Sequence, residues 1–460
     1  MSAPGPPSAP TRLEVVILLP RSGTGTSVLA RTADGFVLPS VTSESADEEP
    51  SLALITGAVA AMIGAEPVPL RVVPLDPNDP GNGSRFLLEL APIEALLPPA
   101  GCDWVVADDV GGPTIAPEPA DATLRRWVEE RRNGPSPRRP AWSHPGWLER
   151  AGAWMMDRLA ATDAPASGSP RLHSLWGLSA VVRAETDRGP AFLKACAAVF
   201  RSEPRLTATL AAASPGLLPQ IIATSDDDGW LLMGDLGSTF LGDQPIDAWA
   251  DGLDALATIQ RQWVGRSNAL ADSGFEDRGL EVLARRLPAL LDDAALGGLD
   301  TNLRRSLSAA LPRLTDACRA LAEIGPPATV AHGDFHPWNV ALQDGHTIVF
   351  DWSDAAIGHP FLDLVTWVGR TPDVAARRQM VARYVDRWSD VVPAERAEEA
   401  VRLALPLGAI RQVESYRRIL DSLDPDDHWD LALAGAGYAR RALALLEDGL
   451  DARLGRDGDT

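Results

Sequence analysis

Residues 330–340 read VAHGDFHPWNV, and residues 346–354 read HTIVFDWSD. In both stretches, ionisable or amide side chains follow a short apolar run. Runs of this length, flanked by polar residues, are typical of short buried strands. We therefore expect Asp334, Asn339 and Asp351 to lie in loops at strand ends, where a rigid scaffold positions reactive groups.

The first stretch has the spacing H-x-D-x-x-x-x-N, which is the spacing of a kinase catalytic loop. In that arrangement Asp334 accepts the proton of an attacking hydroxyl, and Asn339 turns its amide oxygen toward Mg²⁺. Asp351 binds the same metal, because carboxylate and amide oxygens are the hard ligands that Mg²⁺ prefers. The pattern predicts phosphoryl transfer from a nucleotide, which depends mainly on positioning and charge neutralisation.

Lys194 is the single lysine among the 42 Lys and Arg residues of the chain. It lies in the apolar, strand-like segment AFLKA, 191–195. Lysine is a compact point charge, whereas arginine is a wide planar fork, so a site that needs the first cannot accept the second. We predict that Lys194 neutralises the nucleotide phosphates and that Glu203, on the following helix, holds it in place.

Composition narrows the classes of protein to consider. A length of 460 residues predicts two or three domains. The net charge of −21 argues against a nucleic-acid partner and is compatible with a cationic small molecule. The longest nearly uncharged apolar run, 52–65, is shorter than the roughly 20 residues that cross a bilayer. Three scattered cysteines and an N-terminus without signal-peptide features predict a cytoplasmic protein with reduced thiols.

The order of apolar patterns predicts an α+β protein of several parts. Residues 11–130 read as a small α+β domain, and the Pro-, Gly- and Arg-rich segment 131–147 reads as a linker. Residues 148–236 predict a β-rich lobe that contains Lys194. Residues 237–452 predict a mostly helical lobe that contains the stretches 330–340 and 346–354.

The part from about 150 to 440 resembles the aminoglycoside phosphotransferase and choline kinase-like family. HGDFHPWN matches its HGDxHxxN motif, FDWSD matches its metal-aspartate segment, and AFLK matches its phosphate lysine. The resemblance implies a bilobal, protein-kinase-like fold and a small-molecule kinase that uses Mg²⁺ with ATP or GTP. It implies that Asp334 is the base, that Asn339 and Asp351 bind metal, and that Lys194 binds phosphate.

The same resemblance implies further binding segments. The segment 175–182, with Ser179, would cover the phosphates, and the connector from Met233 to Leu236, with Asp235, would face the adenine. Residues 412–430 would line the pocket for the acceptor. The acceptor itself stays open among an aminoglycoside, another antibiotic, an amino sugar and a choline-like metabolite.

The N-terminal domain, 11–130, resembles a Nudix-type domain without its metal motif. The corresponding helix, ALITGAVAAMIGAE at 53–66, has no carboxylate before Glu66 and so cannot build an oxygen cage for a cation. This predicts a cap or a regulatory module rather than a hydrolase.

Several neighbours of the motif are predicted to be structural. His332 and His336 would orient the loop, and Asp363 would hold the metal loop through backbone hydrogen bonds. Trp338 and Trp352 are predicted to be core aromatics.

The sequence is also compatible with two other functions. His332, Asp334 and His336 form an H-x-D-x-H cluster that a metallohydrolase could use. A nucleotide-binding, pseudokinase-like regulatory module would keep the same residues without turnover.

Overall fold

The computed structural model describes residues 11–23, 25–32, 37–45, 52–75, 85–107, 120–291, 300–428, 431 and 433–453. These residues form two compact units. The first unit contains the described residues up to 185 together with 423–428, and the second contains 186–422 and those from 431 onward. Sheets and helices occur in the described chain, so the predicted α+β class is confirmed.

The elements of the first unit are β1 (Thr11–Leu18), β2 (Ser27–Arg31), β3 (Ser40–Ser45), α1 (Leu52–Ile63), β4 (Pro69–Pro74), β5 (Arg85–Leu90), β6 (Cys102–Val106), α2 (Ala120–Asn133), α3 (Trp147–Ala160), β7 (Arg171–Leu175) and β8 (Ser179–Ala184). Four strands form a sheet in the order β3-β1-β5-β4, in which only the β1 and β5 pair is parallel. β2 pairs with β6 and β7 with β8, both antiparallel.

Both faces of this sheet are buried, because successive side chains of a strand point to opposite sides. Val16 of β1 belongs to a core that includes Leu124 of α2. Its neighbour Ile17 belongs to a second core that includes Val59 of α1. The two helices therefore cover opposite faces of the sheet, which explains why β1 reads as a nearly continuous apolar run.

The elements of the second unit are β9 (Ala191–Cys196), α4 (Glu203–Ala213), β10 (Ile221–Ser225), β11 (Trp230–Gly234), α5 (Ala250–Gln262), α6 (Ser267–Asp272), α7 (Leu280–Leu290), α8 (Thr301–Ile324), β12 (Thr329–Ala331), β13 (Val340–Gln343), β14 (His346–Val349), β15 (Ala356–Gly358), α9 (Leu364–Arg370), α10 (Val374–Asp386), α11 (Ala397–Ser422) and α12 (Ala434–Asp448). β11 pairs antiparallel with both β9 and β10. One large apolar core runs through the helices, and α11 packs against α8, α9 and α12.

Two short ladders position the motif residues. β12 pairs with β15, and β13 pairs with β14, both antiparallel. The loops 332–339 and 350–355 therefore connect the same two ladders, so they run side by side. The predicted placement of the motif residues between short buried strands is confirmed.

Two further observations concern the chain as a whole. Among the helices that the structure describes, none is long and apolar enough to span a bilayer. Cys102, Cys196 and Cys318 are free thiols.

Candidate active site

Asn339 fixes the shape of the loop 332–339. It closes a short 3₁₀ turn, Pro337–Asn339, and its side-chain Nδ2 donates to the backbone carbonyl of Asp334 at 2.9 Å. Because a carbonyl only accepts, this contact assigns the amide nitrogen and leaves Oδ1 as the oxygen that can accept or bind a cation. Asn339 thus holds Asp334 in place and keeps one hard oxygen for a cation.

His332 joins the two motif loops and is fully buried. Its Nε2 lies 3.0 Å from the carbonyl of Phe350, and its Nδ1 accepts the backbone N–H of Asp334 at 3.4 Å. Burial lowers the pKa of His332, so the ring is neutral and Nε2 carries the proton. The predicted loop-orienting role is confirmed, and neither ring nitrogen is free to bind a metal.

Asp363 binds the loop 332–339 rather than the loop around Asp351. Its carboxylate accepts the backbone N–H groups of His332 at 2.8 Å and Gly333 at 2.9 Å, and the side-chain Nε2 of Gln260 at 2.8 Å. Burial raises the pKa of Asp363 to about 7, against the lowering effect of the two N–H donors. The prediction that it binds the loop around Asp351 is wrong, because its donors lie about thirty residues earlier in the chain.

Asp351 follows β14 with a φ of 62°, a left-handed conformation that costs a non-glycine residue about 1 kcal/mol or more. Its Oδ1 accepts from Lys194 Nζ at 2.8 Å and from Ser353 Oγ at 2.5 Å. Burial alone would raise the pKa of Asp351, but the Lys194 ammonium and these hydrogen bonds outweigh it and hold the pKa below its usual value. The carboxylate of Asp351 is therefore ionised, and its backbone is held in a strained conformation.

Lys194 lies on β9 and contacts two carboxylates. Its Nζ is 2.8 Å from Oε1 of Glu203 at the start of α4, and 2.8 Å from Oδ1 of Asp351. Burial would lower the pKa of Lys194, but the two carboxylates raise it above its ordinary value. Glu203 is itself buried, and the thiol of Cys196 donates to its second oxygen at 3.1 Å. The ammonium is thus charged and held from two sides.

Asp334 has a different electrostatic environment. Desolvation raises the pKa of its carboxyl to about 6, and the carboxylates of Asp351 and Asp354 add to the shift. The side chain still keeps 45% of its surface exposed, and His336 Nε2 lies 3.8 Å from Oδ2. The carboxyl group of Asp334 is therefore partly exposed and has a raised pKa.

The predicted nucleotide-binding residues are more dispersed. Met233 lies within β11, and Asp235 follows that strand. Asp235 accepts the backbone N–H of Gly237 through Oδ1 at 3.0 Å, and its carbonyl accepts from Gln343 Nε2 at 2.8 Å. Ser179 is the first residue of β8, in the first unit. The structure brings Lys194, Glu203 and Asp351 into direct contact, whereas the hydrogen bonds of Asp235 are to Gly237 and Gln343.

Sequence reasoning missed how α11 reaches the catalytic loop. Gln412 Nε2 donates to the carbonyl of Gly333, and Ser415 Oγ donates to Asp354 Oδ2 at 2.5 Å. Gly333 has a φ of 89°, and a Cβ there would collide with the backbone carbonyl of Asp354. Only glycine fits this position, which presses the loop against the segment after Asp351.

The predicted acceptor segment, 412–430, divides between the units. Its part on α11 belongs to the second unit, and residues 423–428 belong to the first. Trp429 and Asp430 lie outside the described residues.

The two tryptophans of the motif differ. Trp352 is fully buried, as predicted. The prediction that Trp338 is a core residue is wrong, since it is 40% exposed. Its Nε1 donates to Asp243 Oδ1 at 3.2 Å, and its ring lies where a Cβ on Gly242 would have to go. The 3₁₀ turn directs this side chain outward.

The donor set fits a magnesium ion better than a zinc ion. Among the described residues, no group of three or more His, Cys, Asp or Glu side chains is arranged to hold a metal. Asp351 and Asn339 offer one carboxylate and one amide oxygen. Mg²⁺ commonly binds one or two carboxylates and completes its shell with water and phosphate oxygens, whereas structural and catalytic Zn²⁺ sites use three or four protein ligands.

The family model of the phosphotransferase enzyme family (APH) matches residues 174–403, which is 230 of 460 residues. The chain belongs to the phosphotransferase enzyme family. This assignment confirms the family resemblance. The matched range includes Lys194, Glu203 and the loops 332–339 and 350–355.

Several solved structures are similar to this chain at low sequence identity. A "Macrolide 2'-phosphotransferase type I" is 18% identical with a TM-score of 0.44, covering 62% of this chain and 95% of that chain. A choline/ethanolamine kinase family protein from Mesorhizobium loti is 17% identical with a TM-score of 0.46, covering 65% and 96%. A thermostable mutant of aminoglycoside phosphotransferase APH(4)-Ia is 16% identical with a TM-score of 0.42, covering 63% and 98%. No curated protein sequence matches the chain.

Proposed function

We propose that this family member is a Mg²⁺-dependent O-phosphotransferase that moves the γ-phosphoryl group of ATP or GTP to a hydroxyl of a small molecule. The observation that carries the proposal is the Lys194 ammonium, which lies 2.8 Å from both Glu203 and Asp351. A lysine–glutamate pair next to a metal-binding aspartate is the arrangement that protein-kinase-like enzymes need for activity.

Each residue then has a defined task. Lys194 neutralises the α- and β-phosphates, and Glu203 keeps its ammonium in position. Asp334 accepts the proton of the acceptor hydroxyl as the oxygen–phosphorus bond forms and the bond to the leaving nucleoside diphosphate breaks. The raised pKa of Asp334, about 6, suits this task near neutral pH. We place the nucleotide along β11 and the following connector, near Met233 and Asp235, with Ser179 over the phosphates.

Asp351 and the Oδ1 of Asn339 would hold the metal. Mg²⁺ would draw charge from the β- and γ-phosphate oxygens. The protein fixes the orientation of these two side chains. Asn339 is fixed by its hydrogen bond to the Asp334 carbonyl, and Asp351 by its left-handed backbone and by Ser353.

We also propose the domain division that the sequence predicts. Residues 148–236 and 237–452 would be the two lobes of a protein-kinase-like fold, and 11–130 a Nudix-like domain without hydrolase activity. The hydroxyl acceptor would bind against α11, near Gln412 and Ser415. The reaction needs neither nucleic acid nor membrane, which suits a cytoplasmic enzyme.

The metallohydrolase alternative loses its support at His332. Both ring nitrogens of this residue contact backbone groups, so the H-x-D-x-H cluster has at most two available ligands. The pseudokinase-like alternative differs from our proposal only in turnover, so activity is the experiment that separates them.

The test measures Mg²⁺-dependent ATP and GTP consumption across a panel of hydroxylated acceptors. We expect acceptor-dependent turnover that falls by about 10²–10⁴-fold in Asp334→Ala, which is the usual contribution of a general base. Asp316→Ala, on an exposed face of α8, is the matched control and should keep full activity. Tight Mg²⁺-nucleotide binding without turnover would favour the pseudokinase-like module, and absence of nucleotide binding would overturn the kinase assignment.

A further inference from the structure

A chain of buried hydrogen bonds runs from α10 through α5 to the turn before α9. Tyr384 on α10 donates its hydroxyl to Oε1 of Gln260 on α5. Gln260 Nε2 then donates to Oδ2 of Asp363 at 2.8 Å. Tyr384 and Gln260 are completely buried and Asp363 is 5% exposed, so these polar groups depend on protein partners.

The orientation of the Gln260 amide follows from its two partners. Both oxygens of Asp363 accept backbone N–H groups, Oδ2 that of His332 at 2.8 Å and Oδ1 that of Gly333 at 2.9 Å. A carboxylate that accepts from both sides is ionised, so the end of Gln260 that faces it is the nitrogen. The amide oxygen therefore faces Tyr384, whose hydroxyl is its donor.

Gln260 also contacts the loop 332–339 from the strand side. Its backbone carbonyl accepts the Thr329 hydroxyl at 2.5 Å. Thr329 begins β12, and His332 directly follows the end of that strand. One residue of α5 therefore contacts both the strand that leads into the loop and the carboxylate that binds the loop.

Asp363 binds two successive N–H groups directly before the proposed base Asp334. A general base must lie within hydrogen-bond reach of the proton that it accepts. A displacement of about 1 Å can lower the rate about 100-fold, even when its cause is remote from the reacting atoms. A group that fixes the Asp363 carboxylate therefore also fixes the distance over which Asp334 acts.

We propose that Gln260 and Tyr384 are positioning residues for phosphoryl transfer. The Gln260 amide, oriented by the Tyr384 hydroxyl, holds Asp363 on the two N–H groups and thereby keeps Asp334 in place. Both residues are completely buried and act through Asp363, without contact to substrate. The proposal rests on the proposed function, because it concerns the base of that reaction.

The charges around Asp363 decide how it responds to the loss of a donor. Burial raises the pKa of Asp363 to about 7, against the two N–H donors and Arg411 on α11, while Asp354 after β14 raises it further. Burial keeps Tyr384 and His332 uncharged, because it raises the pKa of the first and lowers that of the second. Removing the Gln260 donor takes away a hydrogen bond to the ionised form, so the pKa of Asp363 must rise.

The experiment compares Gln260→Leu, Tyr384→Phe and the double variant with wild type, each as the full chain. Tyr384→Phe keeps the ring and removes only the hydroxyl, so it still tests the proposal if Gln260→Leu does not fold. Leu307→Ala, in the apolar core on α8, is the control for lost stability.

Hydrogen exchange of the loop N–H groups is measured without substrate. Steady-state rates with Mg²⁺-ATP are measured between about pH 6 and pH 8, with kanamycin, glucosamine and choline as acceptors.

We expect kcat to fall by about 10- to 100-fold in Gln260→Leu. In Tyr384→Phe it should fall by about tenfold or less, the value of one neutral hydrogen bond. The KM for Mg²⁺-ATP should stay within about twofold, because the lost interaction acts on the base and not on the nucleotide. The double variant should be no slower than Gln260→Leu, since Tyr384 acts through Gln260.

Two further readouts separate positioning from a general loss of stability. In Gln260→Leu the decline of kcat on acidification should begin at a higher pH than in wild type, because Asp363 is protonated earlier. The N–H groups of His332 and Gly333 should exchange faster in Gln260→Leu than in Leu307→Ala. Leu307→Ala should keep the wild-type kcat and pH profile.

Unchanged kcat in both single variants, a loss confined to KM, or additive losses in the double variant would overturn the proposal. So would loop exchange that is no faster in Gln260→Leu than in Leu307→Ala. The proposed function fails separately. If the loop exchange responds to Gln260 but wild type shows neither Mg²⁺-ATP binding nor turnover that depends on Asp334, phosphoryl transfer is the wrong function and Gln260 only stabilises the loop.

Discussion

Arg71 in the first unit and Arg411 in the second are buried to the same extent, each 6% exposed. Arg71 lies among three carboxylates, with nitrogen–oxygen distances of 2.7 Å to Asp424, 3.4 Å to Asp426 and 3.2 Å to Asp427. These neighbours raise the pKa of Arg71 against the effect of burial. Among the described residues, Arg411 forms an ion pair with one carboxylate, that of Glu414, and burial lowers its pKa.

Burial alone therefore does not show how many ion pairs a charged side chain makes. Removing Arg71 would leave the buried carboxylates of Asp424 and Asp427 without this cation. Removing Arg411 would leave its partner Glu414 paired with a second arginine, Arg286. Substitutions at Arg71, Arg411 and other buried groups test this difference in pairing.

Replacement of the two arginines by methionine should separate them. Arg71→Met leaves Asp424 and Asp427 buried without their cation, so we expect the free energy of unfolding to fall by about 3–5 kcal/mol. Arg411→Met should cost about 1 kcal/mol or less, because Glu414 keeps Arg286 at 2.6 Å. Urea unfolding of the full-length variants measures both, and equal losses would contradict the comparison.

Lys194 marks the limit of the comparison, since its charge is fully paired and yet proposed to act on substrate. Lys194→Arg keeps the charge but replaces a point donor by a wide fork. We expect turnover to fall by about 10²–10³-fold, the cost of losing one electrostatic stabiliser of the transition state. Initial rates at saturating nucleotide measure this. Arg188→Lys, an exposed change in the same unit, should leave the rate unchanged, and a fully active Lys194→Arg would remove the reason for the single lysine.

His359 extends the comparison to a buried group that stays neutral. It is 2% exposed, its Nδ1 accepts from the Phe361 N–H at 3.2 Å, and burial lowers its pKa to about 4. Between pH 6.5 and 4 the unfolded chain binds the extra proton, so stability must fall as the pH falls through this window. The loss should approach about 3 kcal/mol.

The pH effect is measured as the difference between wild type and His359→Gln in urea unfolding from pH 7 to pH 4. The variant should lose less stability over this range. His346→Gln, on an exposed strand position, should follow the wild-type curve. Parallel curves for wild type and His359→Gln would show that this histidine does not control acid stability.

Gly177 gives the smallest expected effect and tests how firmly Arg71 holds its partners. A Cβ on Gly177 would lie 2.9 Å from the Cβ of Asp427, which Arg71 fixes. We expect Gly177→Ala to cost about 1–3 kcal/mol, the usual price of overpacking.

Gly57→Ala in α1 is the matched control. A Cβ there meets no atom within 4 Å, so this change should be neutral or stabilise the helix by up to about 1 kcal/mol. In the Arg71→Met background the cost of Gly177→Ala should shrink, because Asp427 can then move. An unchanged cost would mean that Arg71 does not restrain this carboxylate.

Much of the candidate site was predictable because it is local in sequence. Asp334 and Asn339 lie five residues apart in one loop, and the backbone contact that joins them follows from that spacing. The apolar runs around them predicted the strands β12 and β14. The isolated lysine of AFLKA identified Lys194, since a charge on an apolar strand needs a chemical reason.

Other features were not predictable, because their partners are distant in the chain. Asp363 could bind either motif loop as far as the sequence shows, and only the packing of its turn against residues 332–333 decides between them. The same holds for Trp338, whose outward direction depends on a 3₁₀ turn that covers Gly242. Neither choice leaves a trace in apolar periodicity.

By itself, the sequence predicted the candidate reactive groups, their order and the family to which the chain belongs, because short-range spacing and residue chemistry carry that information. Only the tertiary structure decided which carboxylates pair with each buried arginine. Arg71 meets carboxylates more than 350 residues later in the chain, while Arg411 pairs with Glu414 three residues away. A guanidinium's partners depend on how distant segments pack, and that packing places three carboxylates around Arg71.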